Sequence, residues 1–147
     1  MLRSVNAMKK LISLLFALSL VFTLCACSST STISVPDGLD KTTLILSGEA
    51  VVTKLNRGEY GTVQEMFRED VAASLSEGAV EDMVTEYLDG AGEFEKFSST
   101  EAFGKTDTAS GEEYAVVMVV AKYDDDKLTF HVGFDTNMQL IGLSVES

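Results

Sequence analysis

His131 is the only histidine in the chain, and so the only side chain whose ordinary pKa lies near neutrality. It stands in LTFHVGF, where strand alternation places it opposite Leu128, Phe130 and Val132, with Thr129 and Gly133 on its own side. A general base needs a positioned partner. No spacing in the sequence fixes one beside His131, so the plainer reading is a half-buried strand histidine. Asp124, Asp125 and Asp126 in YDDDK suggest calcium at first sight. An EF-hand loop, however, alternates its ligands over about twelve residues and closes on Glu. Three adjacent aspartates make a solvated hairpin tip instead. Cys25 and Cys27 have the spacing of a metal clip, but the SSTSTIS that follows supplies no further ligand. The sequence holds no glycine-rich phosphate loop, no Gly-x-Ser-x-Gly elbow, no His/Cys cluster and no basic patch. The residues therefore point to no resident metal or cofactor, and to a protein that is not an enzyme.

The two cysteines end an apolar run. Arg3, Lys9 and Lys10 are the only charges before it, and Leu11 to Ala26 carries none. A basic start, an apolar core and small residues at its end make a secretory signal. The run has 16 residues, short of the roughly 18 to 20 that span a bilayer. Leu24, Cys25, Ala26 and Cys27 resemble the lipobox of bacterial lipoproteins. The resemblance implies cleavage between Ala26 and Cys27, with Cys27 becoming a diacylglyceryl cysteine. Cleavage before Cys25 would leave bulky Leu24 at the cut. Cys25 then departs with residues 1–26, and beyond the lipidated Cys27 the mature domain has no cysteine and no disulfide. Two acyl chains give stable membrane attachment without a spanning helix, so the expected location is the extracytoplasmic face of a cell membrane.

Residues 27–38 are the lipidated cysteine and a polar tether, SSTSTISVPDG, which contains the only proline. Ser28 to Gly38 reaches at most about 35–40 Å. Residues 39–147 are of ordinary single-domain size. The chain carries 11 basic and 23 acidic residues, a formal −12, and without Arg3, Lys9 and Lys10 the mature chain stands at −15. Such a charge repels nucleic acid and anionic headgroups, so no nucleic-acid partner is expected. It keeps the domain soluble, or presents an acidic surface to a cationic partner.

The domain divides into helices and then strands. DKTTLILSGEAVVTKLNRG spaces Leu44, Ala50, Val51, Val52 and Leu55 for a helix, with Asp40 as cap and Gly58 beyond the end. Tyr60, Val63 and Phe67 predict a second helix. Val80, Met83, Val84, Tyr87 and Leu88 predict a third, capped by Ser76 and stopped at Gly90 and Gly92. The period then changes to two. FEKFSSTEAFGKTD reads as a first strand. EEYAVVMVVAKY is apolar on both faces and reads as a central strand covered on both sides. KLTFHVGFD and QLIGLSVES follow, joined by a turn in which Asn137 is the candidate for positive φ. Gly48 inside the first helix predicts a close helix-to-sheet contact. Helices followed by an antiparallel meander make an α+β domain.

Three stretches carry a family resemblance over Thr43 to Val145. LNRGEYGTVQEMF (Leu55 to Phe67) resembles the opening helix turn of the uncharacterised domain family 3887. GAGEFEKF (Gly90 to Phe97) resembles its lead-in to the first strand, and VGFDTNMQLIGLSV its closing hairpin, with Met138 where that family usually has glycine. The resemblance implies an NTF2-like (cystatin-like) cone, a curved antiparallel sheet wrapped around helices. Tyr114, Met118, Phe130 and His131 would then be pocket residues. A cone of this shape hosts enzymes and non-enzymes alike. Used as in ketosteroid isomerase, it would need a carboxylate in an apolar pocket and a Tyr donor, for which Asp107, Asp135, Tyr114 and Tyr123 are present. The expectation is a membrane-tethered binding or accessory module for a small apolar ligand or an envelope protein. The alternatives are a small-molecule enzyme and a plain spacer.

Overall fold

The computed structural model describes residues 34–147, and the expected signal segment, its expected cleavage position and Cys27 lie outside the described residues. The elements are helices α1 (Lys41–Asn56), α2 (Tyr60–Glu65), α3 (Glu69–Ala72) and α4 (Ala79–Ala91), then strands β1 (Phe94–Thr106), β2 (Glu113–Tyr123), β3 (Lys127–Phe134) and β4 (Leu140–Glu146). This is the α+β order the sequence predicts, with one short helix more.

Helix α1 starts where Asp40 accepts from the Thr43 amide (2.8 Å) and the Thr43 hydroxyl (2.9 Å). Those two bonds hold the Asp40 carboxyl below the usual carboxylate range. The helix closes on Gly58 at φ 73°. Its buried stripe is Leu44, Gly48, Val51, Val52 and Leu55. Gly48, not Ala50, occupies the core position, because it sits four residues after Leu44 on the same face. A Cβ there would stand 2.5 Å from Val117 Cγ1, the helix-to-sheet approach that the sequence predicts. Helix α4 begins two residues later than the Ser76 cap implies. Gly78, at φ 75° and without a side-chain bond, occupies the cap position. The Ser76 carbonyl instead accepts from the Ala79 amide (3.1 Å) and from Gln64 Nε2 (2.9 Å).

The strands form one antiparallel sheet in the order β1-β2-β3-β4. Ala115, Val117, Val119 and Ala121 of β2 are fully buried, and cross-strand partners Leu128, Phe130, Val132 and Phe134 of β3 join them under the helices. Tyr114, Val116, Met118 and Val120 on the other face are only half-buried. The expectation of cover on both sides is corrected here. The helices pack on one face, and among the described residues no helix packs on the other. The valine-rich run reflects strand propensity on the open side as much as burial.

Two local features also depart from expectation. Val35 packs against the core and Pro36 is buried, so the domain begins inside the stretch read as tether. In the β3–β4 turn the positive φ falls at Met138 (62°), not at Asn137. Asp135 fixes this turn: its Oδ1 accepts from the Asn137 and Gln139 amides, both at 2.9 Å. That leaves Met138 to take the left-handed step. Past the turn, the Leu140 amide donates to the Met66 carbonyl (3.1 Å) and the Arg68 amide to the Leu140 carbonyl (2.8 Å), a short parallel bridge on the outer side of β4.

Candidate functional site

The β3–β4 register puts two glycines side by side, Gly133 and Gly142, on the open face. Neither has a side chain; Gly133 is buried against Ile141 and Gly142 is half-buried. Around them lies a trough of about 420 Å³. Val116 floors it, Tyr114, Ile141 and Leu143 wall it, and Asp107, Glu112, His131 and Ser144 supply polar groups. The glycines differ in what they permit. A Cβ on Gly133 would meet the Gly142 nitrogen and Ile141 Cγ1 at 3.4 Å, whereas one on Gly142 would meet nothing within 4 Å. Gly133 is held by packing, and Gly142 keeps the trough open.

One rim is acidic. Asp107 Oδ1 accepts from the Ala109 (2.7 Å) and Ser110 (3.2 Å) amides. Glu112 pairs with Arg68, which also binds Asp70 (2.7 and 3.0 Å) and Asp135 (3.4 Å). The hydrogen bonds that the guanidinium donates to Asp70 and then to Glu112 hold it firmly charged and its pKa raised. One cation thus serves three carboxylates, and with Asp107 the rim keeps an excess of negative charge. His131 Nε2 lies 3.3 Å from Glu146 Oε1, with side chains 34% and 69% exposed. The pair therefore lacks the water-excluded setting in which electrostatic stabilisation of a transition state grows large.

Of the residues the sequence singles out, Tyr114 and His131 line this trough. Met118 shares their face, across from His131 in register, but does not line it. Phe130 is corrected: it is fully buried on the helix-facing side and belongs to the core. Strand alternation separates it from its neighbour His131. Asp135 is engaged by its own turn and by Arg68. Tyr123 faces the helices, where its hydroxyl donates to Asn56 Oδ1 (2.6 Å) and burial pushes its pKa up to about 12. Sequence reasoning missed Gly133, Gly142, Ile141 and Leu143. The available signal was glycine inside a strand, which marks a bulge or an open backbone.

A second cavity, about 210 Å³ and apolar, lies on the helix side of β4. Val71, Leu75, Val80 and Met83 line it, and it shares Ile141, Gly142 and Leu143 with the trough. Among the described residues no group of His, Cys, Asp or Glu could hold a metal ion, and no helix is long and apolar enough to cross a membrane.

The family model described as Protein of unknown function (DUF3887) matches residues 48–143. The chain belongs to this family. Among solved structures, this DUF3887 domain is similar to the NMR structure of a protein from Ruminococcus gnavus ATCC 29149, at 22% identity and a TM-score of 0.64. The alignment covers 76% of this chain and 95% of that one. At that identity the likeness is one of fold. No curated protein matches the chain.

Proposed function

We propose that this DUF3887 protein is a non-catalytic binding module, held at the extracytoplasmic face of a cell membrane by diacylglyceryl Cys27. Its binding surface would be the trough beside Gly133 and Gly142 on the open face of the sheet. The fold reads as NTF2-like, on the order of its elements and the one-sided packing of its helices. In such a cone the ligand would sit between helices and sheet, but here Leu44, Val51, Phe130 and Phe134 fill that space at 1% exposure or less. The observation that carries the reading is the contrast between this filled side and the open trough. The volume of about 420 Å³ falls within the range of small-ligand sites.

The test is crosslinking in cells from a photoactivatable residue at Ser144, with one at exposed Leu46 on α1 as control. Discrete products from Ser144 alone, lost in Gly142→Val, are expected. No product at Ser144, or equal products at both positions, would overturn the reading.

A second reading, an acid–base enzyme, is favoured by one observation: Asp107, Glu112, Tyr114 and His131 converge on the same trough. It requires turnover on a panel of small substrates that His131→Gln abolishes while the fold persists.

A further inference from the structure

We propose that the outer edge of β4 accepts an extended peptide segment of a partner protein, with apolar and basic side chains in alternation. This rests on the binding reading above and names the occupant of that face.

The sheet treats its two edges differently. Edge strand β1 carries Glu95, Lys96, Glu101 and Lys105 and two breaks in register. Charges and irregularities of this kind stop a sheet edge from recruiting foreign strands. Edge strand β4 reads LIGLSV, with no charge before Glu146. An uncharged apolar edge is a template for pairing. It already acts as one: the bridge to Met66 and Arg68 at Leu140 uses its outer backbone groups. That pairing stops where the chain turns into α3 at Glu69. From Ile141 to Glu146 the outer edge has no backbone partner among the described residues.

Two cavities flank the free edge, one on each face of the sheet, and both include Ile141, Gly142 and Leu143. Successive side chains of a strand point to opposite faces. A strand added to β4 would therefore send alternate side chains into the trough and into the apolar cavity. Main-chain bonds would supply affinity and the two cavities selectivity, as in other strand additions. The helix-side cavity, lined by Val71, Leu75, Val80 and Met83, takes aliphatic groups. The trough has Asp107 and Glu112 at its rim and Glu146 ends the strand, so it takes basic ones. Charge also decides against a second copy of the chain, which would bring one −15 domain against another.

The experiment uses isotope-labelled residues 34–147. The aligned R. gnavus protein consists almost wholly of this domain, which shows that the fold stands alone. The probes are synthetic peptides of about six residues, the length of the free edge at ~3.3 Å per residue. One alternates Val and Lys, one alternates Val and Glu, and one has the Val/Lys composition in blocks. The alternating Val/Lys peptide should shift the amides of Gly142 to Glu146 and slow exchange of the outward-facing ones at least about tenfold. The other two should do neither, and Ser144→Lys at the exposed rim should weaken the effect. Equal response to Val/Glu would overturn the charge assignment. Slow exchange that grows with protein concentration alone would make a second copy the occupant and overturn the proposal. Silence from β4 with every peptide, while Ser144 still crosslinks in cells, would overturn strand addition and leave the binding module standing. Silence in both experiments would remove the two together.

Discussion

Gly48 and Gly142 are both glycines inside regular elements, yet their surroundings predict opposite outcomes. At Gly48 a methyl group would press on Val117 Cγ1 at 2.5 Å and Val117 Cβ at 2.9 Å. Neither atom belongs to a flexible chain end, so α1 must lift from the sheet. Gly48→Ala should cost about 1–3 kcal/mol, read as a lower urea midpoint with an unchanged slope. Gly142→Val places its Cβ in open space and replaces glycine by a good strand former. Its stability should stay within about 0.5 kcal/mol of the parent while crosslinking from Ser144 disappears. Tyr123 gives a pH prediction. The folded protein holds its phenol neutral up to about 12, and the unfolded chain ionises it near 10. Between those values the unfolded state has lost a proton that the folded state keeps. Stability therefore falls as pH rises through that window, by about 1.4 kcal/mol per pH unit. The Tyr123→Phe variant should lose this alkaline slope. It should also be less stable at pH 7, because the buried Asn56 amide loses the hydroxyl it accepts from.

At the scale of elements, the β3–β4 turn sets the register that brings Gly133 beside Gly142. Asp135 is 2% exposed and holds the Asn137 and Gln139 amides together with Arg68. Asp135→Ala strips an acceptor from three donors at once and should cost about 2–4 kcal/mol. Asp135→Asn keeps an oxygen for the amides and should cost less. Faster amide exchange at Gln139 and Leu140 in Asp135→Ala, partly restored in Asp135→Asn, is the expected result. The elements themselves were largely legible. The cap at Asp40, the stop at Gly58, the helical spacing from Val80 to Leu88 and the alternation of KLTFHVGFD are local chemistry, and the structure follows each. What the sequence hid depends on pairing between distant segments. The apolar run of β2 could not say which face the helices would choose. LIGLSV could not reveal that its glycine lands opposite another. Tyr114 and His131 lie on one face through the β2–β3 register, which alternation within either strand cannot give, whereas alternation within β3 alone separates Phe130 from His131.

For the whole molecule, the proposed anchor and the charge work against each other in a way that can be measured. Acylated Cys27 would fix the chain to the bilayer. Because Val35 and Pro36 already pack on the domain, at most the seven residues Ser28 to Ser34 can separate it from Cys27, a reach of no more than about 25 Å. A domain of −15 confined so close to lipid should feel the surface potential of anionic headgroups strongly at low salt, where the Debye length is ~30 Å. At about 0.15 M salt that length shrinks to ~8 Å and the repulsion is confined to the contact layer. The acylated protein should therefore bind zwitterionic vesicles at any ionic strength. It should bind vesicles rich in anionic lipid more weakly at low salt, and the two affinities should converge as salt rises. Cys27→Ala should carry no acyl label and bind neither vesicle. Anionic vesicles preferred at low salt would mean that the tether's lipids do not act alone and that some surface of the domain attracts headgroups.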